Sequence, residues 1–241
     1  MGRLSRRAAL VPLVLAASLL SACSESEADP ETAPRSETTE PVPLAADVPQ
    51  GTGFDFYVLA LSWSPSYCLN EGRGREARTQ CGDDVAYGFI VHGLWPQFDN
   101  GYPEYCSPRD SDRVPGRLGR SVMDLTPSMG LIGHMWRKHG SCSGLSQSDY
   151  FEVMRSARER VSVPDGFANA TGPRSVSPAE VETRFIESNP GLAPDAIATV
   201  CSNGQLREVR ICLTKNLAFR PCPQVDQSGC RSGSISVPPP G

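Results

Sequence analysis

An α+β domain held by disulfides is the fold class this sequence predicts, and three observations point to it. Strand-like and helix-like stretches mix without the regular strand–helix–strand rhythm of a parallel sheet. Hydrophobic residues at 39% and charged residues at 21% are ordinary for a globular protein. Nine cysteines in 241 residues suit an oxidising compartment better than the cytosol.

The N-terminus explains the cysteines. Residues 1–7, MGRLSRR, carry three arginines and no acid, and an apolar run follows from Ala8 to Leu20. With the small residues Ser21 and Ala22 behind it, this reads as a secretory signal over residues 1–22. The run is too short for a membrane-spanning helix, which needs roughly 20 apolar residues. Leu20-Ser21-Ala22-Cys23 also resembles a bacterial lipobox, which makes Cys23 the expected lipidation site. The chain is expected outside the cytoplasm, either anchored to the cell membrane through that lipid or secreted. Residues 23–50 read as an acidic, proline-rich tether with no aromatic residue, which cannot bury enough apolar surface to offset its ordering entropy. Residues 24–50 hold seven acids and one arginine, and the signal three arginines. The net charge of −4 therefore belongs to the tether, and the domain at 51–241 is left near −1. A domain this close to neutral does not look like a stable nucleic-acid binder, and any basic cleft must come from local placement of its charges.

Within the domain, Phe54–Trp63 (FDFYVLALSW) is aromatic and β-prone, and Ser64-Pro65 ends it. Tyr87–His92 (YGFIVH) reads as a second buried strand closed by Gly93, and Leu206–Lys215 (LREVRICLTK) alternates as a half-buried strand does. Gly133–His139 reads as a helix stopped by Gly140. Further helices are expected over Ser148–Val161 and Ser177–Ser188, the last opened by Pro178. Without Cys23 eight cysteines remain, at 68, 81, 106, 142, 201, 212, 222 and 230. An even number in an exported chain implies a disulfide framework, and zinc-type C-x-x-C spacing is lacking, so no metal is expected. The spacing alone leaves the pairing open.

All three histidines, His92, His134 and His139, lie in two short motifs, HGLWP at 92–96 and HMWRKHGSC at 134–142. Imidazole both takes and gives a proton near neutrality, with an unperturbed pKa of about 6.5. On a helix, positions 135, 138 and 139 share a face, with His134 at its edge. Lys138 and His139 would then point into one space, a pairing suited to a phosphodiester that gathers negative charge. His134 and His139 are five residues apart, which does not fit a zinc helix of the H-E-x-x-H kind.

These residues resemble the T2 family of secreted ribonucleases. The match runs through Val91-His92-Gly93-Leu94-Trp95-Pro96 and His134-x-Trp136-x-Lys138-His139-Gly140-x-Cys142. Trp63-Ser64-Pro65-Ser66-Tyr67-Cys68 and Gly101-Tyr102 support it, and it covers roughly residues 53–232. The resemblance implies a single α+β domain with a central antiparallel sheet packed by helices. It also implies the bridges Cys106–Cys142, Cys201–Cys230 and Cys212–Cys222, leaving Cys68–Cys81.

The implied activity is metal-independent and cofactor-free cleavage of single-stranded RNA, through a 2′,3′-cyclic phosphate to 3′-phosphate ends. It excludes DNA, and a monomer is expected. His139 is implied as base, His92 as acid, Lys138 as stabiliser of the phosphorane, and His134 as a phosphate contact. Trp95 and Tyr102 would stack on the base upstream of the cut, although Trp95 is equally read as packing, and Trp136 is read as core. Two positions depart from the family. Met135 stands where the helix motif carries glutamate, and Gln97 where an acid follows HGLWP. Met135 leaves three readings: a slower nuclease, a second carboxylate that compensates, or a lipid-anchored module that binds RNA without cutting it. A histidine-ligated metalloenzyme is a further alternative, separable by its sensitivity to chelators.

Overall fold

The computed structural model describes residues 48–240 apart from 75–76, 83–85 and 109. The expected signal, Cys23 and the tether up to residue 47 lie outside the described residues. Val48, which composition assigns to the tether, packs against the core.

Strand β1 (Phe56–Trp63) is followed directly by α1 (Ser64–Asn70), with Pro65 in its first turn. Then come α2 (Arg78–Cys81), β2 (Phe89–Gln97), α3 (Gly116–Arg120) and α4 (Met129–Lys138). Helices α5 (Gln147–Glu159) and α6 (Asp165–Ala168), strand β3 (Arg174–Val176) and helix α7 (Pro178–Ser188) follow. Strands β4 (Ile197–Ser202) and β5 (Gln205–Leu213), helix α8 (Pro223–Gln227) and strand β6 (Ile235–Val237) complete the order. The strands form one sheet in the order β2-β1-β5-β6-β3, with β4 also paired to β5. Every pairing is antiparallel, as expected of the central sheet, except for one parallel contact between Gln205 of β5 and Ser236 of β6.

Alternation along β1 sorts the two faces. Tyr57, Leu59, Leu61 and Trp63 join the main core with Trp136 of α4, Tyr150 and Phe151 of α5 and Phe185 of α7. Phe56 and Val58 face the other way, into a smaller cluster with Ala198, Cys212, Cys222 and Val225, against which Trp95 packs. Helices α4, α5 and α7 are each capped by a serine whose side chain accepts an orphan N–H, from Leu131, Asp149 and Glu180 respectively. Replacing such a cap by alanine typically costs about 1 kcal/mol. Disulfides join Cys68–Cys81, Cys106–Cys142, Cys201–Cys230 and Cys212–Cys222, the pairing the resemblance implies.

Two boundaries differ most from the sequence reading. β2 does not stop at Gly93 but continues to Gln97, so HGLWP lies within a strand. It has β1 as its sheet neighbour and stands at the edge, where Pro96, without an N–H to donate, is tolerated. α4 begins at Met129 rather than Gly133, because the Ser128 cap outweighs the weak helix propensity of Gly130 and Gly133. β4 is a strand that sequence periodicity did not reveal.

Candidate active site

A bulge in the outer strand aims the first histidine. Ala60 of β1 pairs with Gly93 and Leu61 with Val91, so His92 is an extra residue with no partner across the ladder. The insertion shifts the strand's phase by one residue. Val91 and Leu94, three apart, are fully buried in the main core, whereas His92 and Trp95, also three apart, turn to the opposite face. Gly93 is required here, since a Cβ at this position would collide with the Trp95 indole.

Helix α4 supplies the rest. Ile132 and Trp136 point into the core, and the Trp136 indole N–H donates to the Ser111 carbonyl at 2.9 Å, which fits the reading of Trp136 as core. His134, Met135, Lys138 and His139 line a groove of about 410 Å³ together with His92, Trp95, Gln97 and Tyr102. All seven substrate and proton-transfer positions singled out in the sequence are thus in one place. His139 is not a helical residue but the cap of α4, with φ −121° and ψ −51°. The helical wheel therefore gave its direction only approximately. Gly140 follows because a side chain there would strike Trp136 and Tyr150.

The Trp95 indole ties the two motifs together. It stacks on the His139 ring at 5.1 Å and 24°, and His92 meets it edge-on at 5.5 Å. Trp95 thus both packs against the smaller cluster and lines the groove, so its packing does not withdraw it from the candidate site. Tyr102, more than half exposed, stands at the groove mouth, and Gln97 is buried in its wall.

Three charged residues escaped the sequence reading. Glu208 of β5 is 2% exposed, and its Oε2 accepts a hydrogen bond from His92 Nδ1 at 2.7 Å. Its Oε1 accepts from Arg210 Nε at 2.7 Å, and the Arg210 guanidinium lies 5.1 Å from the Trp95 ring centre. Glu104, on the segment that Cys106–Cys142 ties to the end of α4, pairs with Lys138 Nζ at 3.4 Å. Glu208 and Arg210 had a usable signal, because opposite charges two apart in a strand share a face. Glu104, in an irregular segment, had none.

Electrostatics separates the groups. Burial, then the nearby Lys138, His92 and His134, push His139 down to about 3, and its Nδ1 has no hydrogen-bond partner among the described residues. Burial, then Lys138, Arg137 and His92, lower His134 as well. Burial alone would raise Glu208, but its bonds to His92 and Arg210 outweigh that and hold its carboxyl well below the usual carboxylate range. Among the described residues no group of three or more His, Cys, Asp or Glu side chains is arranged to hold a metal.

The family model described as "Ribonuclease T2 family" matches residues 54–222. A ribonuclease of Aeromonas hydrophila is 40% identical over 107 residues, which cover 44% of this chain and 46% of the relative. Ribonuclease 3 of Arabidopsis thaliana is 31% identical over 202 residues, 74% of this chain and 87% of the relative. The chain spans about half the length of the Aeromonas relative and of a probable ribonuclease of Haemophilus influenzae that it also matches. Among solved structures, RNase NT in complex with 5'-AMP is similar with a TM-score of 0.58 and 26% identity, covering 79% of this chain and 100% of that one.

Proposed function

Because the chain belongs to the ribonuclease T2 family, we propose that it is an endoribonuclease that cleaves single-stranded RNA by transphosphorylation, without a metal and with low base specificity. The observation that carries this reading is the convergence of His92, His134, Lys138 and His139 on one groove, with Trp95 in contact with both His92 and His139.

His139, kept neutral in the free groove, removes the proton from the RNA 2′-hydroxyl. The freed O2′ attacks the neighbouring phosphorus, the bond from phosphorus to O5′ breaks, and His92 donates a proton to that departing oxygen. The products are a 2′,3′-cyclic phosphate and a free 5′-hydroxyl. In the second step the roles reverse: His92 takes a proton from water, and His139 returns one to O2′, leaving a 3′-phosphate. A phosphodiester seated against Lys138 and His134 adds negative charge beside His139 and raises its affinity for the proton it must take. Lys138 offsets the charge of the pentacoordinate intermediate. Trp95 and Tyr102 stack on the upstream base, a contact every base can make, and the Gln97 amide meets its edge. DNA lacks the nucleophile.

The test is incubation of the oxidised protein with single-stranded RNA and with DNA of the same sequence, each in excess chelator. Cleavage of the RNA alone, with cyclic phosphate ends appearing first, is the expected result. RNA bound but left intact by a folded protein overturns the catalytic reading in favour of the binding module that Met135 raises.

The localisation forms part of the same proposal. Residues 1–22 act as an export signal, Cys23 carries a lipid, and the monomeric domain works outside the cytoplasm at the end of its tether. Replacing Cys23→Ser in the expressing cell should move the protein from the membrane fraction to the soluble one. A distribution unchanged by the substitution would remove the anchor from this account.

A further inference from the structure

Glu208 is a carboxylate in the wrong place for a solvated charge. At 2% exposure it sits on β5 opposite Ser62 of β1, inside the sheet rather than on its rim. A buried carboxylate is costly unless both oxygens are paired, and here both are, one to His92 and one to Arg210. The pairing continues outward. Arg210 lies over the Trp95 ring, and Trp95 stacks on His139, so one carboxylate is linked to both sides of the groove.

We infer that Glu208 is a positioning residue: it holds His92 in the tautomer that carries its proton on Nδ1, leaves Nε2 to exchange protons in the groove, and through Arg210 steadies the indole against which His139 rests. The inference rests on the proposed role of His92 in proton transfer. A carboxylate that accepts from one ring nitrogen fixes which nitrogen is left to react, and the orientation of the ring with it. Strand geometry gives the same reading. Glu208 and Arg210 alternate onto the face that carries Cys212, the face toward which the bulge turns His92 and Trp95.

Two measurements on the full oxidised chain test it. The ring nitrogens of the three histidines are first read by NMR above their titration range. His92 is expected to carry its proton on Nδ1 in the wild type. A proton on Nε2 overturns the proposal, whether or not any variant folds. Glu208→Gln is then assayed on RNA. Glutamine has one acceptor oxygen where two donors must be met, so its amide group must face either Arg210 or His92 Nδ1. Loss of an orienting partner typically lowers activity by about 10–100-fold, and the loss here should fall on kcat with KM little changed. Glu208→Asp, which keeps the charge and both acceptors, should recover part of kcat. A folded Glu208→Gln protein with wild-type kcat sinks the idea. A wild type that leaves RNA uncut defeats the proposed function instead, and the tautomer measurement still decides the role of Glu208.

Discussion

Replacing His139→Ala or His92→Ala should lower kcat on RNA by about 10²–10⁴-fold, the usual contribution of a positioned acid or base, with KM little changed. The double variant should be only slightly worse than either single one, because groups that act in one step do not contribute additively. Equal, near-complete losses support a shared step, whereas a His92→Ala protein with most of its activity would remove His92 as the acid.

His139 carries a second expectation, for stability. An unfolded histidine titrates near 6.5, and the fold holds this one at about 3. Between those values the unfolded chain binds a proton that the folded chain refuses. Stability contributed by keeping the ring neutral is therefore complete above about pH 6.5 and is lost as the pH falls toward 3. Glu208 acts in the same direction, but its loss begins only below its ordinary value of 4.5. From pH 6.5 down to 4.5 the two lowered histidines pull stability down, while Glu182, raised by burial, works the other way. The melting temperature of His139→Ala should accordingly fall less steeply than that of the wild type across this window. Parallel curves would mean that the burial of His139 does not govern its acid stability.

The sequence marked the residues of this site more clearly than their arrangement. His92, His134, Lys138 and His139 were visible because three histidines confined to two motifs are hard to assign to packing alone. The alternation of LREVRICL identified β5, whose register then explains why Glu208 and Arg210 share a face. What stayed hidden depends on contacts distant in the chain. The bulge at His92 exists only relative to β1, so HGLWP read as a strand end rather than as a strand with an extra residue. The hydrogen bond of His92 with Glu208 joins residues 116 apart, beyond the reach of local periodicity. Glu104 lies in an irregular segment that a disulfide fastens to the turn just after α4, and no pattern along the chain marks it.

Replacing Lys138→Met should lower kcat by about 10²–10³-fold, the range for removing one preorganised stabiliser of transition-state charge. The Lys138 side chain is 30% exposed and is placed by α4, so methionine can occupy the same volume without disturbing the core. Its electrostatic partner is unusual. The family's helix glutamate is absent, Met135 is 1% exposed where it would stand, and the carboxylate beside Lys138 is Glu104 from the disulfide-held segment. Glu104 is 43% exposed, so solvent weakens its influence on Lys138. A carboxylate at position 135 would lie deeper. Met135→Glu should therefore raise kcat, by about tenfold rather than the full 10²–10³-fold of a lone stabiliser, because Glu104 already supplies part of the effect. The same substitution should lower the melting temperature, since it places a charge where a methionine is almost wholly covered. Adding Glu104→Gln separates the two carboxylates: the gain from Met135→Glu should grow when Glu104 is neutral. A Met135→Glu protein no faster than the wild type in either background would show that position 135 does not limit the rate.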